Sequence, residues 1–330
     1  MDARGLVESP LQLLGAVEAH AAGLAGERTR IHVRTDVPAL DDARRTLEEV
    51  GLPDGLRFFM SGPRAAFARG EPVEVVGDAF SGLYQATSLR RRDPQRAVLL
   101  DDGLATVELA RILATAGTPV VRLGPRLPWA RRALGGLTAR RLAALARSGR
   151  LVLFTAMPLE PDVIGALEAR GVRVVVNTFA WLAGTELPGT PPVERTLVIG
   201  SGMVADGLVD ADAYLGWLRE LAADGAVRYF PHRRETRAFL DRLGEVPGVT
   251  VDEPGAPVEL RLQGLRAGQR VVGLPSTSSV LLTRILGPKG VSVEPQDVPE
   301  TWWTAAATPA LRSHLRSVLT MAAAARTAQD

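Results

Sequence analysis

Short apolar runs alternate with longer stretches of helical periodicity through the first half of the chain. The predicted strands are Gly5–Val7, Arg30–Val33, Arg57–Phe59, Val73–Val76, Ala97–Leu100, Val120–Leu123, Leu151–Phe154 and Val172–Val176. The predicted helices between them are Gln12–Ala22, Asp41–Val50, Phe80–Leu89, Leu104–Thr115 and Pro161–Arg170. Apolar strands that alternate with helices are typical of a parallel sheet covered by helices on both faces.

The alternation stops at residues 183–193, whose sequence AGTELPGTPPV is rich in glycine, proline and threonine, as interdomain linkers are. It then resumes with predicted strands at Leu197–Ile199, Val227–Phe230, Val249–Val251, Val271–Leu274 and Val291–Val293. The helices predicted there are Ala211–Ala222, Thr236–Leu243, Val258–Leu265 and Ser278–Leu286, and a terminal helix, Pro309–Ala325, could cross back to the first half.

This pattern predicts an α/β protein with two doubly wound, Rossmann-like domains, residues 1–185 and 186–330. Two such domains that face each other across a cleft describe the GT-B architecture. Ligands of doubly wound sheets lie at the carboxyl ends of the strands. We therefore look for chemistry in the residues that directly follow each predicted strand.

The composition narrows the possible chemistry. With 330 residues, 46% hydrophobic and 23% charged, the chain can build two cores. No apolar run reaches the roughly 18 residues of a membrane span, and the N-terminus lacks a signal-peptide pattern, so the expected location is the cytoplasm. The absence of cysteine excludes disulfides and thiolate nucleophiles, and four scattered histidines offer little for a metal site. No metal or bound cofactor is expected.

Two adjacent carboxylates, Asp101 and Asp102, directly follow the predicted strand Ala97–Leu100, and Gly103 comes after them. Repulsion between neighbouring carboxylates raises the proton affinity of one of them, which suits a general base that takes a proton from a sugar hydroxyl. The alternative is that Asp102 only caps the helix that begins at Leu104.

A basic cluster, PHRRE at residues 231–235, follows the predicted strand Val227–Phe230. His232 and Arg233 at this position can neutralise a phosphate, and the imidazole can donate a proton as a nucleotide leaves. A lone histidine is more often structural, but here it stands beside arginines where an α/β domain binds ligands.

Four hydroxyl residues, STSS at 276–279, follow the predicted strand Val271–Leu274 and open a helix. Hydroxyls and free backbone amides at a helix N-terminus form an anion site, so Ser276, Ser278 and Ser279 are candidate phosphate ligands. A simple serine cap would need only one of these hydroxyls.

Two further motifs carry weaker signals. Gly200 and Ser201 follow the predicted strand Leu197–Ile199 and can line a donor site, although the run is too short for a dinucleotide fingerprint. Asp210 and Asp212 have the Asp-x-Asp spacing of metal-dependent glycosyltransferases, but they open a predicted helix, where aspartates are ordinary caps.

The three main motifs, in this order and each at a strand end, resemble those of the bacterial sialyltransferases that build lipooligosaccharide and polysialic acid capsules. Residues 101–103 match the acidic-acidic-Gly motif of that family, and Ser278-Ser279 match its paired-serine motif. His232 matches its His-Pro motif with a departure, because the proline precedes the histidine.

Two additional positions extend the resemblance. Ser9, Pro10, Leu11 and Gln12 resemble the Ser-Pro-Leu-Gln turn that ends the first strand in these enzymes. Glu259 lies about twenty residues before the serine pair, where related sialyltransferases keep a glutamate that holds the CMP ribose.

The resemblance implies a metal-independent, inverting transfer of sialic acid, or a related acidic sugar, from a CMP donor to a glycan hydroxyl. Asp102 would be the base, on the acceptor side, and His232 would stabilise the departing phosphate in the donor domain. The implied donor-binding residues are Glu259, Ser276, Ser278, Ser279, Arg233, Gly200 and Ser201. The implied acceptor or sugar contacts are Ser9, Gln12 and Asp101.

Two alternatives stay open. The donor could carry another CMP-activated acid, such as Kdo, or the protein could bind an anionic glycan or a nucleic acid without catalysing a reaction. For the transferase we expect no nucleic-acid partner.

An arginine-rich segment stands apart from these motifs. Seven arginines and no acidic residue lie between Arg126 and Arg150, interleaved with Trp129 and several leucines and interrupted at Gly135-Gly136. The pattern predicts a basic amphipathic helix, or a pair of helices, that either contacts an anionic membrane or polymer or simply presents a solvated face. A membrane contact would be peripheral, on the inner face of the cell membrane.

Overall fold

The computed structural model describes residues 1–60, 72–122, 128–187 and 189–327. The chain divides into two compact units, Met1–Thr185 and Glu186–Asp330. Each unit is an α/β domain with its own sheet of parallel strands.

Seven described strands form the sheet of the first unit, all paired in parallel. Along the chain they are β1 Asp2–Val7, β2 Arg28–Val33, β3 Leu56–Met60, β4 Val73–Val76, β5 Arg96–Leu99, β6 Leu151–Thr155 and β7 Val172–Val176. Their order in the sheet is β3-β2-β1-β4-β5-β6-β7, so the winding direction changes between β1 and β4. The described helices are α1 Pro10–Ala21, α2 Pro38–Val50, α3 Gly82–Ser88, α4 Leu104–Ala114, α5 Trp129–Arg147, α6 Pro161–Ala169 and α7 Ala180–Ala183.

The second unit repeats this plan with five described strands, β8 Thr196–Ile199, β9 Val227–Phe230, β10 Val249–Val251, β11 Arg270–Gly273 and β12 Ser292–Pro295. They pair in parallel in the order β10-β9-β8-β11-β12, which places the change of direction between β8 and β11. Its helices are α8 Gly202–Ala205, α9 Ala211–Ala223, α10 Arg237–Gly244, α11 Val258–Arg261, α12 Thr277–Leu286 and α13 Pro309–Thr327, with 3-10 turns at Gly287–Lys289 and Glu300–Trp302.

Helices cover both faces of each sheet, so the central strands are buried along their whole length. Every residue of β4, β6 and β8 is buried, which is why these strands read as continuous apolar runs rather than alternating ones. Burial of large apolar side chains on both faces, at roughly 1.5–3 kcal/mol each, holds each unit together.

The predicted strand at residues 120–123 is wrong where the structure describes it, because residues 120–122 form no strand. The Val120 N–H donates a hydrogen bond to the carbonyl of Gly135 at 3.1 Å, so this apolar segment packs on α5. Strand β5 pairs directly with β6 instead. Leu123 lies outside the described residues. The helix predicted over Val258–Leu265 is also shorter than expected and ends at Arg261.

The arginine-rich segment forms one continuous helix, α5, and the glycine pair does not divide it. A Cβ atom on Gly135 would lie 2.7 Å from the Val120 carbonyl oxygen, whereas one on Gly136 would meet no atom within 4 Å. The first glycine therefore permits the close approach of a neighbouring backbone, and the second has no such constraint.

The terminal helix α13 packs against α12 of its own unit and buries Val318, Ala322 and Ala325. The Arg326 guanidinium donates to the Val293 carbonyl at 3.1 Å. These described contacts lie within the second unit, and the crossing of this helix to the first half stays a prediction. None of the described helices combines the length and apolar character needed to cross a lipid bilayer.

The two glycines of α5 offer a matched pair of substitutions. We expect Gly136→Ala to stabilise the first unit by about 0.5–1 kcal/mol, because alanine is the better helix former in the interior of a helix. Gly135→Ala gains the same propensity but drives a methyl group into the Val120 carbonyl, so we expect a net loss of about 1–3 kcal/mol. Urea unfolding followed by circular dichroism measures both, and equal stabilities for the two variants would contradict the close contact.

Candidate functional site

The Asp102 carboxylate lies at the carboxyl edge of the first sheet and is held from two sides. Gln12, in the first turn of α1, donates from Nε2 to Asp102 Oδ1 at 2.8 Å. Arg122 pairs with the other carboxylate oxygen and also reaches Asp78 Oδ2 at 3.2 Å. Gln12 is itself oriented, because its Oε1 accepts the backbone N–H of Glu8 at 2.7 Å. Loops after three strands, β1, β4 and β5, thus meet around one carboxylate.

The Asp102 side chain does not cap a helix, so the alternative that it only caps the helix beginning at Leu104 is wrong. Helix α4 begins after Gly103, whose positive φ of 65° suits glycine, and no side chain caps it. The Asp102 backbone N–H instead donates to the Thr106 hydroxyl at 2.7 Å. This arrangement leaves the Asp102 carboxylate at the sheet edge rather than folded over the helix end.

The surroundings of Asp102 favour proton uptake. Burial raises the pKa of the Asp102 carboxyl, and repulsion from Asp78 raises it further, while hydrogen bonds and charge from Gln12 and Arg122 oppose the shift. A carboxylate with a raised pKa has a property that suits a general base. The Arg122 side chain beside it is 52% exposed.

The neighbouring Asp101 has a different environment. It is 1% exposed, and its carboxylate accepts the Thr155 hydroxyl and the Ala156 N–H, both at 2.5 Å. Burial raises the pKa of Asp101 to about 6, against these hydrogen bonds, which lower it. These bonds tie the end of β5 to the end of β6, so Asp101 holds the edge on which its neighbour stands. Its contact with a sugar stays a prediction.

Ser9 caps α1, since its hydroxyl accepts the backbone N–H of Gln12 at 3.3 Å. This cap holds the turn that presents the Gln12 side chain to Asp102. The predicted contact of Ser9 with an acceptor stays a prediction.

A cavity of about 550 Å³ opens at the same edge of the first unit. Its described lining residues are Glu8, Arg34, Thr35, Asp36, Ser81, Gly82 and Leu83. Arg34 donates to Asp36 at 2.6 Å and to Glu8 at 3.2 Å. The cavity adjoins the Asp102 cluster through Glu8, whose N–H binds Gln12. The sequence carried no motif for this cavity, because its described lining comes from three segments that are far apart in the chain: Glu8, residues 34–36 and residues 81–83.

In the second unit, Glu235 joins two of the predicted motifs. Its carboxylate accepts the N–H of Ser201 at 3.1 Å, the N–H of His232 at 2.9 Å and the Tyr229 hydroxyl at 2.6 Å. The loop after β8 and the loop after β9 are thereby fastened together. A Cβ atom on Gly200 would lie 2.6 Å from the His232 nitrogen, which explains a glycine at that position.

Sequence reasoning gave Glu235 no role, although it stood three residues after the histidine. Burial raises the pKa of the Glu235 carboxyl, against hydrogen bonds from Tyr229, His232 and Ser201 that lower it. Ser201 is buried, its N–H is bound to Glu235, and its hydroxyl caps α8 by accepting from Met203 at 3.2 Å. Ser201 therefore stabilises the loop through its N–H and hydroxyl oxygen, and its contact with a donor stays a prediction.

The tautomer of His232 follows from its contacts. The Arg234 backbone N–H donates to Nδ1 at 3.3 Å, so Nδ1 is an acceptor and the proton of the neutral ring is on Nε2. Burial lowers the pKa of His232 to about 4, and the charges of Arg234 and Arg233 lower it in the same direction. The ring is therefore neutral at pH 7 and can donate a hydrogen bond from Nε2. Arg233 is exposed beside it, whereas Arg234 pairs with Asp206 at 2.5 Å.

The three serines of the turn at the start of α12 make different hydrogen bonds. Ser276 caps α12, accepting the Ser279 N–H at 3.3 Å, and the Ser279 hydroxyl lies 3.1 Å from that of Ser276. Ser279 is only 1% exposed, so two of the candidate hydroxyls hold the turn. Ser278 instead hydrogen-bonds to the buried Glu259 carboxylate, whose pKa is raised by burial and lowered by this bond. Glu259 and Ser278, which the sequence analysis assigned to the same nucleotide, are therefore in contact.

The first aspartate of the Asp-x-Asp pair caps a helix, as predicted. Asp210 caps α9 by accepting the Ala213 N–H at 2.8 Å, and Asp212 pairs with Arg242. A search of the described residues finds no group of three or more histidine, aspartate or glutamate side chains that could hold a metal ion.

Comparison with known proteins shows a fold and no closer relationship. No protein-family profile matches the chain, and no curated protein matches it by sequence. Among solved structures, TcCGT1 in complex with UDP has a TM-score of 0.50 and 11% identity over 99% of this chain and 94% of that one.

Two further solved structures superpose less closely. UDP-GlcNAc 2-epimerase from Neisseria meningitidis bound to UDP-GlcNAc has a TM-score of 0.47 and 11% identity, over 84% of this chain and 79% of that one. The E. coli heptosyltransferase WaaC with ADP-2-deoxy-2-fluoro heptose has 0.46 and 12%, over 96% and 99%.

At such low identity the likeness shows the fold alone. The predicted fold class is confirmed: two Rossmann-like domains with the GT-B fold of glycosyltransferases. The ligands named in these three structures are UDP, UDP-GlcNAc and an ADP-heptose analogue, and CMP is not among them.

Proposed function

We propose that this protein is a glycosyltransferase that moves sialic acid, or a related acidic sugar, from a CMP-activated donor to a hydroxyl of a glycan acceptor. The observation that carries the proposal is the environment of the Asp102 carboxylate. It does not cap a helix, Gln12 and Arg122 bind it, and burial raises its pKa. The fold is compatible with this reaction, and the CMP specificity rests on the motif resemblance.

The acceptor half of the reaction belongs to the first unit. Asp102 takes the proton of the attacking hydroxyl as the new bond to the anomeric carbon forms. Gln12 keeps one carboxylate oxygen in place, so the other, now paired with Arg122, is the one offered to the acceptor. Arg122 must release that oxygen when the acceptor binds, and its exposed side chain allows the movement.

The donor half belongs to the second unit. As the bond between the anomeric carbon and the phosphate oxygen breaks, negative charge grows on the CMP phosphate. His232 stabilises that charge with a hydrogen bond from neutral Nε2, Arg233 adds a positive charge, and the N-terminal amides of α12 add their dipoles. Donors aimed at charge that develops only in the transition state raise the rate rather than the affinity.

The nucleoside is assigned to Glu259 and Ser278. A buried carboxylate that already accepts one hydroxyl is suited to accept the ribose hydroxyls as well. Because Ser278 lies at the N-terminus of α12, the ribose and the phosphate of one nucleotide could bind side by side.

The cavity beside Asp102 suits an acceptor that is not itself strongly acidic. Among its described lining residues, the two carboxylates of Glu8 and Asp36 outnumber the one guanidinium of Arg34. A second anion in this cavity would meet net negative charge, whereas hydroxyl-rich or amino sugars would find both donors and acceptors.

Two other functions remain as outcomes of the tests. A transferase for another CMP-activated acid, such as Kdo, would use the same residues and differ only in the sugar that it accepts. A non-catalytic glycan-binding protein would not need the raised pKa of Asp102, which is the observation against it.

We expect Asp102→Asn to lower kcat by about 10²–10⁴-fold, because the amide has no basicity to take a proton, while CMP binding is retained. Asp78→Asn is the matched control: it removes a neighbouring carboxylate that also contacts Arg122 but leaves the base, so we expect less than about a tenfold loss. Donor turnover with acceptor measures both. Equal rates for Asp102→Asn and the wild type would contradict the assignment of the base.

We expect His232→Gln to keep turnover within about tenfold of the wild type, because glutamine can still donate an N–H, while His232→Ala loses about 10²–10³-fold. Since the pKa of His232 is about 4, the ring is almost entirely neutral above about pH 6, and the rate should show no loss from this group between pH 6 and 8. If both variants are equally inactive, proton donation rather than hydrogen bonding is the role of the ring.

We expect CMP to raise the thermal midpoint of the protein more than UMP does, because the proposed donor is a CMP ester. A ligand that binds only the native state stabilises it by about 2.7 kcal/mol at a hundred times its Kd. Glu259→Gln should remove most of this shift, and Glu220→Gln, an exposed carboxylate on α9, should leave it unchanged. A larger shift with UMP would assign a different donor nucleotide, and donor hydrolysis assays with CMP-sialic acid and CMP-Kdo then separate the sugars.

A further inference from the structure

Helix α5 presents a basic face to solvent that no part of the proposed reaction uses. This face consists of Trp129, Arg132, Leu137, Arg140 and Arg147, which follow helical spacing and therefore lie along one side. Trp129 is 82% exposed and Leu137 is 46% exposed, and the three arginines are exposed as well. None of these three arginines forms an ion pair with any described residue.

The other arginines of the segment have structural tasks. Arg141 is buried and pairs with Glu74 at 3.3 Å and Asp93 at 3.1 Å, and Arg131 donates to the Phe80 carbonyl at 3.0 Å. Arg150 donates to the Pro94 carbonyl at 3.0 Å. Arg126 lies outside the described residues. The structure thus separates the segment, which sequence alone treated as uniform, into an inward-facing set and an outward-facing set.

We propose that the basic face of α5 docks the protein on the surface of an anionic lipid membrane. The helix carries no carboxylate at all, so nothing on it repels a negative surface. Arginines near such a surface attract its headgroups, and each contributes about a fivefold gain in binding at moderate ionic strength. The proposal does not depend on the proposed transferase activity.

The exposed apolar side chains favour lipid over a soluble polyanion. Tryptophan is the side chain most suited to the boundary between headgroups and acyl chains, because its ring is amphipathic. Trp129 stands at the N-terminal end of the face and Leu137 two turns further on, so both can enter the boundary while the arginines contact headgroups. A polyanion would use the arginines but would give an exposed indole and leucine no partner.

The test is co-sedimentation of the full chain with vesicles of phosphatidylcholine alone or mixed with phosphatidylglycerol, at low and at high salt. We expect binding to the mixed vesicles only, weakened by salt. Arg132→Gln/Arg140→Gln/Arg147→Gln should lower the partition coefficient roughly a hundredfold, following the fivefold effect of each arginine. Trp129→Phe reports insertion, because the blue shift of tryptophan emission on mixed vesicles should disappear in that variant.

The matched control is Arg57→Gln/Arg219→Gln/Arg266→Gln, which removes the same charge from three exposed arginines elsewhere. It should bind vesicles within about twofold of the wild type. Equal loss in both triple variants, or no binding of the wild type to mixed vesicles, overturns the proposal. The proposal is also overturned if the wild type binds heparin but not vesicles. That result would assign the face to a soluble polyanion. Circular dichroism confirms that the variants are folded, and unchanged CMP stabilisation separates this result from a failure of the proposed function.

Discussion

Parallel pairing is the constraint on which the rest of the structure depends. When every strand of a sheet runs in the same direction, all the carboxyl ends meet at one edge, and the loops that leave them are brought together whatever their distance in the chain. In the first unit this places Gln12 and Asp78 beside the Asp102 carboxylate. In the second it places the loops after β8 and β9 close enough for one glutamate, Glu235, to fasten both.

The same constraint divides the polar residues into two kinds. Some groups hold the edge through their hydrogen bonds: the buried Asp101 joins β5 to β6, and Ser276, with the buried Ser279, closes the turn at the start of α12. Groups that remain partly open, above all Asp102 and His232, stand on that scaffold. A site built in this way is preorganised, because the hydrogen bonds of the supporting side chains fix the position of the groups that stand on them.

Electrostatics then give each open group a protonation state suited to its proposed task. Burial raises the pKa of the Asp102 carboxyl, so it can receive a proton. Burial and the adjacent arginines lower the pKa of His232, so it offers a neutral N–H. The sequence predicts that His232 stabilises the phosphate and can also donate a proton; in the structure its Nδ1 accepts the Arg234 amide, which leaves the Nε2 N–H as the donor of the neutral ring.

The sequence by itself determined the two doubly wound domains, the position of nearly every central strand and the residues at their carboxyl ends. It could do so because buried parallel strands leave continuous apolar runs, and the polar residues that follow them stand out. Only the tertiary structure decided which polar residues act together: that Asp102 turns to Gln12 and Arg122 rather than to a helix end, that Glu235 links two loops, and that Arg141 is buried while Arg140 is exposed. Those choices depend on contacts between residues far apart in the chain, which local patterns do not record.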